Sequence, residues 1–161
     1  YAAAEGVAAI TGAAGDIGDT LTVPSSIAGY KVVGIGETAF AQGQFTSVTL
    51  PSTLTTLGDK AFYMCRKLES ITIPSGVTCI SDHAFGSSGL KSVEISSNVT
   101  SIEDGAFSSC AGLTSLVIPS SVTNIGEHAF YCCDGLKTVE IHEGVKRIGL
   151  GAFMAVVDLS H

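Results

Sequence analysis

The chain has 161 residues, of which 45% are hydrophobic and 14% charged, and its net charge is −7 at pH 7. This length fits one domain, and the apolar fraction is too high for an intrinsically disordered chain. Only eight residues are lysine or arginine and they form no run, which argues against binding to nucleic acid or to an anionic membrane surface. No apolar stretch approaches the ~18 residues that a membrane span requires.

The first twenty residues differ in composition from the rest of the chain. Residues 1–20 are rich in alanine and glycine, and we expect them to cap one end of the domain. Apolar residues in 17–24 then indicate a first, irregular strand. Residues 29–32 are interpreted as a short insertion that separates this strand from the regular part of the sequence.

A repeat follows this insertion. The dipeptide Ala-Phe occurs six times, and its phenylalanines lie 22, 23, 22, 23 and 23 positions apart, at Phe40, Phe62, Phe85, Phe107, Phe130 and Phe153. Each unit also holds two apolar patterns in fixed register, L-x-x-V-x-I and V-x-x-I. Such a period is the sequence signature of a repeat architecture. Residues 21–153 are therefore predicted to form about six coils of 22–23 residues.

The apolar spacing inside each unit predicts how the coils stack. Residues two positions apart in V-x-I share one face of an extended strand. One unit cannot bury this edge alone, whereas coils stacked about 4.8 Å apart join equal positions into continuous internal rows. We expect the phenylalanine row to fill the space behind the sheet. Glycines after the second apolar pattern, such as Gly58 and Gly126, are expected to provide sharp turns.

An acidic residue lies three positions before the phenylalanine in five units, at Glu37, Asp59, Asp82, Asp104 and Glu127. Because stacked carboxylates repel one another, this row needs a physical reason. A short helical turn that begins here would supply one, since carboxylates satisfy the free N–H groups of a helix N-terminus. A calcium-binding stripe is the alternative, although the G-G-x-G-x-D pattern of calcium-binding β-rolls is missing.

The pattern is lost after Phe153. Residues 154–161 match the repeat poorly, and we expect them to form a degenerate C-terminal edge of a single domain that covers 1–161. Either they fold back as a partial cap or the natural chain continues with further repeats, and we favour the second.

The unit L-x-x-V-x-I-P-x-x-V-x-x-I-G-x-x-A-F-x-x-C-x-x resembles the repeat of the BspA-like leucine-rich repeat family. The segments E-G-V-A-A-I-T-G and G-Y-K-V-V-G-I-G also resemble the opening of that family, so the resemblance covers nearly the whole chain. It implies an α/β repeat solenoid, mostly β, that is right-handed and curved, with parallel strands on the concave face and short helical turns on the convex side. Ser88 in place of the recurring cysteine, and Ser96 and His142 in place of proline, are modest departures.

The resemblance also implies a function. Proteins of this family are typically secreted or displayed on host-associated bacteria, where they adhere to host or neighbouring-cell proteins without catalytic residues, metals or cofactors. We therefore expect an extracellular or cell-surface module whose partner is a host or cell-surface glycoprotein, although the chain begins at Tyr1 without a signal peptide. A structural spacer or stalk within a longer surface protein is the alternative.

Three of the five cysteines share one repeat position. Cys65, Cys110 and Cys133 each follow a phenylalanine by three positions, so we expect them in an internal row as free thiols that pack like small hydrophobic groups. A disulfide between Cys110 and Cys133 is an alternative, because equal positions on neighbouring coils lie about 5 Å apart. Metal binding is a third interpretation, which the odd number of cysteines and the missing C-x-x-C spacing disfavour.

The histidines and the serines offer no reactive site. His83 and His128 share a repeat position, but Gly105 occupies the coil between them, which predicts about 10 Å between their Cα atoms. Zinc needs three or four converging ligands, so solvent-facing turn residues are the expected role. The chain has no G-x-S-x-G turn and no phosphate-binding loop, and we expect no enzymatic activity.

The outward positions of the first strand in each unit are the candidate binding surface. They combine small hydroxyl-bearing side chains with scattered charges and are Ser47, Thr49, Ser70, Thr72, Ser92, Glu94, Ser115, Val117, Thr138 and Glu140. One interpretation is a solvated face that keeps the sheet soluble. The functional interpretation is a shallow platform for a partner protein, a use that concave solenoid surfaces often have.

Overall fold

Short strands joined by turns make up the part of the chain that a computed structural model describes, which comprises residues 1–4, 6–13 and 17–156. This part holds no helix, and hence none that is long and apolar enough to cross a membrane. Its strands are β1 (Ala2–Ala4), β2 (Val7–Ile10), β3 (Thr20–Thr22), β4 (Ser26–Ile27), β5 (Tyr30–Ile35), β6 (Ser47–Thr49), β7 (Thr56–Leu57), β8 (Ser70–Thr72), β9 (Cys79–Ile80), β10 (Ser92–Glu94), β11 (Ser101–Ile102), β12 (Ser115–Ile118), β13 (Asn124–Ile125), β14 (Thr138–Ile141) and β15 (Arg147–Ile148).

Each coil contributes one strand to each of two parallel ladders. The first ladder runs through β3, β6, β8 and β10 and then through β12 and β14, and the second continues from β5 and β7 to β9, β11, β13 and β15. The registers pair equal repeat positions, such as Val93 with Ile71 and Ile102 with Ile125. The chain is thus a mostly-β solenoid of about six turns, as the period predicts.

The N-terminal segment adds strands that the repeat does not contain. β1 pairs antiparallel with β2, which in turn pairs parallel with β5, and β4 pairs antiparallel with β5. The irregular strand expected within 17–24 is β3, and the expected insertion at 29–32 comprises the turn residue Gly29 and the first three residues of β5. Residue 5 and residues 14–16 of the expected cap lie outside the described residues.

A column of stacked phenylalanine rings forms the centre of the solenoid. The centroids of Phe62, Phe85, Phe107 and Phe130 lie 5.3–5.5 Å from their neighbours, with rings within 11° of parallel. All four side chains are completely buried. This confirms the predicted phenylalanine row, because the ring spacing follows the stacking of the coils.

The segment before each phenylalanine is not helical, so the expectation of short helical turns was wrong. In the coil of Phe62, the N–H groups of Ala61 and Tyr63 donate within the coil, at 3.2 and 3.0 Å. The N–H groups of Lys60, Phe62 and Met64 instead donate to carbonyls of the next coil, each at 2.8 Å. A helix keeps its N–H bonds within one segment. Here the neighbouring coil offers carbonyl acceptors at every second residue.

Left-handed backbone positions produce this alternation. Lys60 and Met64 have φ of +56° and +57°, and His83 and Ser87 repeat these values at +50° and +57° one coil later. Because φ is the rotation about the bond between a residue's own N–H and its Cα, a positive φ at Lys60 and Met64 accompanies N–H groups that point out of the coil, towards the next one. The acidic row therefore caps no helix.

Glycines after the second strand are required by close packing between coils rather than by a sharp turn, which corrects the sequence expectation. Neither Gly58 nor Gly126 has a positive φ. A Cβ atom at Gly58 would lie 2.5 Å from the backbone nitrogen of Glu37, and one at Gly126 would lie 2.6 Å from that of Asp104. Backbone cannot move aside as a flexible side chain can, so a larger residue at Gly58 or Gly126 would have to push two coils apart. Ser81 and Glu103, which stand at the same repeat position in two other coils, show that the glycine is not obligatory.

Candidate binding surface

Two rows of outward side chains run along the first ladder. The register places Ser70 beside Ser92 and Thr72 beside Glu94, and the pair β12–β14 repeats this arrangement. Nine of the ten residues predicted for this surface are exposed, and Ser47 is half-buried. The structure therefore brings the predicted residues together in two groups, one on β6, β8 and β10 and one on β12 and β14.

Strand β3 extends both rows with residues that the sequence pattern did not identify. Thr20 lies beside Ser47 and Thr22 beside Thr49, and the Ser47 hydroxyl donates to Thr20 Oγ1 at 3.2 Å. Thr20 precedes Ser47 by 27 positions rather than 22 or 23, because residues 29–32 are inserted between them. Alternation of polar and apolar residues in T-L-T was the available signal.

Charges on this surface differ between the two ends of the strands. At the strand starts, Lys91 and Glu69 form an exposed ion pair at 2.7 Å. At the strand ends, Glu94 accepts a hydrogen bond of 3.2 Å from the Thr72 hydroxyl, and Glu140 contacts the His142 ring at 2.8 Å. The strand ends therefore present carboxylates.

The first ladder opens at two places. β6 pairs with β8 at one position only, Ser47 with Ser70, and β10 does not pair with β12. Slit 1 is the opening between β6 and β8 and has a volume of about 340 Å³. Slit 2 lies between β10 and β12 and has a volume of about 310 Å³. The walls of slit 1 include Val48, Leu50, Thr72 and Pro74, and those of slit 2 include Val93, Ile95, Val117 and Pro119.

The buried cysteines are free thiols that donate hydrogen bonds between coils. Cys65, Cys110 and Cys133 are fully buried and unbridged. Their Sγ atoms lie 3.1–3.2 Å from the carbonyl oxygens of phenylalanines on the preceding coil. Burial raises the pKa of Cys65 and of Cys110 to about 11 and that of Cys133 to about 12. These thiols are structural, and no Cys110–Cys133 disulfide is present.

The remaining cysteines are half-buried. Cys79 Sγ lies 3.6 Å from Glu103 Oε1. Burial raises the pKa of Cys79, and the negative charge of Glu103 raises it further. Both effects oppose thiolate formation, so Cys79 is not an activated nucleophile.

The histidines lie on a different surface, the one formed by the turns before the phenylalanines. A Cβ atom at Gly105 would lie 2.5 Å from His83 Nε2, so the His83 ring covers this glycine of the next coil. An open depression of about 500 Å³ is bordered by His83, His128 and Tyr131. Among the described residues, no group of three or more histidine, cysteine or acidic side chains is arranged to hold a metal ion.

The acidic row lies beside this depression. Asp104 Oδ1 accepts a hydrogen bond of 2.7 Å from the N–H of Glu127 on the next coil. Partial burial raises the pKa of Asp82, and the charges of Asp59 and Asp104 on the neighbouring coils raise it further. The structure therefore shows repulsion along the row, partly offset by backbone hydrogen bonds.

Sequence comparison matches residues 33–160 to six copies of the BspA type leucine-rich repeat region. No protein of curated function matches the chain.

Several solved structures share the fold. A leucine-rich repeat protein from Bacteroides ovatus is 30% identical, with a TM-score of 0.89 over 99% of this chain and 43% of its own. A leucine-rich cell surface protein from Faecalibacterium prausnitzii is 29% identical, with a TM-score of 0.77 over 96% of this chain and 49% of its own. The leucine-rich repeat protein of T. pallidum is 27% identical, with a TM-score of 0.74, and the match covers 89% of this chain and 78% of its own. The chain thus spans less than half of the first two proteins.

Proposed function

We propose that this chain, which belongs to the BspA-type leucine-rich repeat family, is a non-catalytic module that binds other proteins through the outward face of its first ladder. Its purpose is adhesion to host or neighbouring-cell proteins. The observation that carries this proposal is the exposed pair of rows on β6, β8 and β10 and on β12 and β14.

The composition and rigidity of the outward face of the first ladder suit a protein partner. Its side chains are mostly short hydroxyl-bearing residues, which lose little conformational entropy on binding. They project from strands that the buried phenylalanine column holds in place. Repeat solenoids commonly use such extended surfaces for protein recognition. The right-handed curvature and the concave position of this face, both implied by the family, belong to the same proposal.

A location outside the cell is also part of the proposal. The F. prausnitzii protein that shares the fold is described as a cell surface protein. Reduced, buried cysteines are compatible with such a location, because none of them needs a disulfide to hold the coils together. The partner is then a host or cell-surface glycoprotein.

Catalysis is not part of this function. Active sites gather groups with shifted pKa values in a cleft. Here the largest shifts belong to the thiols of Cys65, Cys110 and Cys133, which face the interior of the coils. Asp82, whose pKa is raised more modestly, lies on an exposed turn.

The proposed organisation is one domain over 1–161, with a cap at 1–20, about six coils at 21–153 and a degenerate edge at 154–161. Of that edge, residues 157–161 lie outside the described residues.

A spacer within a longer surface protein is the second candidate function. It is favoured by the length of the relatives, since the chain spans 43% of the B. ovatus protein and 49% of the F. prausnitzii protein. A spacer needs the solenoid but no binding face.

An array of extracellular-matrix and cell-surface glycoproteins distinguishes the two. The chain and two variants are applied to the array: Ser92→Arg on the proposed face, and Thr78→Arg at the exposed residue just before β9 of the second ladder. We expect binding to at least one glycoprotein that Ser92→Arg abolishes and Thr78→Arg retains. Absence of binding, or equal loss in both variants, would leave the spacer as the better account.

A further inference from the structure

Slits 1 and 2 are formed by equivalent residues. Val48, Leu50, Thr72 and Pro74 of slit 1 correspond one for one, 45 positions along the chain, to Val93, Ile95, Val117 and Pro119 of slit 2. The two openings are therefore one feature that recurs after two coils.

The openings expose side chains of β6 and β10 whose equivalents on β8 and β12 are buried. Val93 and Ile95 are half-buried, although the equivalent Leu116 and Ile118 of the next coil are fully buried. Val117, on the far wall of slit 2, is 49% exposed. Each slit thus offers an apolar wall of aliphatic and proline carbons that the solenoid itself leaves uncovered.

Proline follows the far strand of each slit, although proline alone does not open the ladder, because Pro51 follows β6 and β6 still pairs with β3 at three positions. Pro74 and Pro119 end the far wall of each slit, and neither has an N–H to donate back across it. Where His142 stands at the same repeat position, its N–H donates to the Ile118 carbonyl at 3.0 Å, and the strands β12 and β14 pair fully.

The distance between the slits limits what can fill both. Two coils correspond to about 10 Å along the solenoid. A polyproline-II helix has three residues per turn and a rise of about 3.1 Å, so side chains three residues apart lie about 9.3 Å apart on one side. In a β-strand, side chains on one side are about 7 or 13 Å apart, which does not match the slits.

The surface between the slits adds polar and charged partners. It consists of β8 and β10, where the Thr72 hydroxyl bonds to the Glu94 carboxylate. A polyproline-II backbone has no internal hydrogen bonds, so its carbonyls are free to accept from hydroxyls such as those of Ser70 and Ser92. Glu94 and Glu140, in a chain with a net charge of −7, favour a positively charged residue.

We propose that slits 1 and 2 form one binding site for a polyproline-II peptide segment that carries two aliphatic or proline side chains three residues apart and a lysine or arginine between them. One side chain enters each slit, and the basic residue lies against Glu94. This inference rests on the proposed function, because it names the kind of protein segment that the first ladder recognises.

Labelled synthetic peptides test the site directly by fluorescence anisotropy. The probe is a proline-rich peptide with two leucines three residues apart and a lysine between them. Control peptides place the leucines two residues apart, replace lysine by glutamate, or present leucines seven residues apart on an alanine-rich helix, where their separation is also about 10 Å.

Three protein variants that each add a glutamate accompany the peptides, and a fourth, Glu94→Gln, neutralises a carboxylate. Val117→Glu and Thr72→Glu, at equivalent repeat positions, place a carboxylate in slit 2 and slit 1. A loss of binding then reports the apolar slit, because the added charge by itself would attract the peptide lysine. Leu150→Glu adds the same charge at an exposed apolar residue of the last coil. Thermal unfolding followed by circular dichroism verifies that all four fold.

We expect the probe to bind at least about tenfold more tightly than the peptide with the shorter spacing, the gain from one buried aliphatic side chain. Val117→Glu and Thr72→Glu should each weaken binding by about tenfold, and Leu150→Glu by less than about twofold. Glu94→Gln should remove the preference for lysine over glutamate. Equal binding of the two spacings, or tighter binding of the helical peptide, would overturn the proposal.

The glycoprotein array distinguishes a failure of the slit proposal from a failure of the proposed protein-binding function. If Ser92→Arg abolishes glycoprotein binding while no peptide prefers the three-residue spacing, the slit proposal fails and the binding function stands. If neither glycoproteins nor peptides bind, both fail.

Discussion

Cys133 Sγ donates a hydrogen bond to the carbonyl oxygen of Phe107, 3.2 Å away on the preceding coil. This bond links the two internal rows of the solenoid, since the same phenylalanine ring stacks on Phe130 at 5.3 Å. Ser88 occupies the same repeat position in another coil and is also buried, so a hydroxyl is accommodated there. The thiol is thus a buried hydrogen-bond donor rather than a reactive group.

Replacement of this thiol should change the stability of the protein at alkaline pH. Burial, and then the neighbouring Cys110, raises the pKa of Cys133 to about 12, above its ordinary value of 9.0. Because the folded state holds this proton more tightly than the unfolded state, its contribution is complete below pH 9 and is lost as pH rises towards 12. Above pH 9 the free energy of unfolding of the unsubstituted chain should therefore fall more steeply with pH than that of Cys133→Ser. We expect the two slopes to differ by on the order of 1 kcal/mol per pH unit.

Urea unfolding at a series of alkaline pH values measures this slope. Cys132→Ser is the matched control, because Cys132 is only half-buried. Parallel slopes for Cys133→Ser and the unsubstituted chain would contradict the assignment.

Thiol reagents should distinguish the two classes of cysteine. At pH 8 and without denaturant, we expect an aromatic disulfide reagent to modify at most Cys79 and Cys132, and slowly. Cys65, Cys110 and Cys133 should react only after unfolding, because burial keeps them protonated and inaccessible. Mass spectrometry of peptides after alkylation identifies the modified sites, and rapid labelling of Cys110 in the folded protein would refute the buried row.

The sequence period predicted the internal rows because every coil meets the same requirement. Phe62, Phe85 and Phe107 recur at fixed steps, and only one stacking of the coils buries them all. The exposure of the outward residues follows from the same register. Their use as a binding surface stays a prediction.

Features that depend on contacts with the neighbouring coil could not be predicted from the sequence. A carboxylate before a turn, as at Asp59, suggests a helix N-terminus, but the sequence does not show that the next coil supplies carbonyls to alternate N–H groups. Likewise β6–β8 and β8–β10 join units of the same pattern, yet only the second pair is complete. Repeat-by-repeat reasoning treats all junctions as equal and therefore misses slits 1 and 2.

Truncation of the phenylalanine column should be costly in its interior. Phe107 is completely buried between two rings at 5.3 Å, so Phe107→Ala should lower the free energy of unfolding by about 3–5 kcal/mol. Phe153 stacks on one described ring, 5.2 Å away, and is half-buried, so Phe153→Ala should cost clearly less. Urea unfolding compares the two variants, and equal losses would argue against stacking from both sides as the source of stability.

A methyl group at Gly126 should separate two coils. Its Cβ atom would lie 2.6 Å from the backbone nitrogen of Asp104, whereas at Gly86 the nearest atom, 3.2 Å away, belongs to the Tyr63 side chain. We expect Gly126→Ala to lower stability by about 1–3 kcal/mol, the usual cost of an overpacked position, and Gly86→Ala by less. Thermal unfolding of both variants tests this, and a stable Gly126→Ala would show that the coils can move apart.

Neutralising one member of the acidic row should stabilise the protein. The pKa of Asp82 is raised by partial burial and then by Asp59 and Asp104, so its ionised form is less favourable in the folded state than in the unfolded state. This carboxylate therefore opposes folding above its pKa, and the penalty is relieved as pH falls through it.

Asp82→Asn should raise the free energy of unfolding at neutral pH and low salt by about 0.5 kcal/mol or less, since the group is largely exposed and screened by solvent. High salt should remove the part of this gain that comes from Asp59 and Asp104, because exposed charges are screened, whereas the part that comes from burial should remain. Asp134→Asn, an exposed substitution outside the row, is the control. A gain that high salt does not reduce, or an equal gain in the control, would show that repulsion between coils contributes nothing to it.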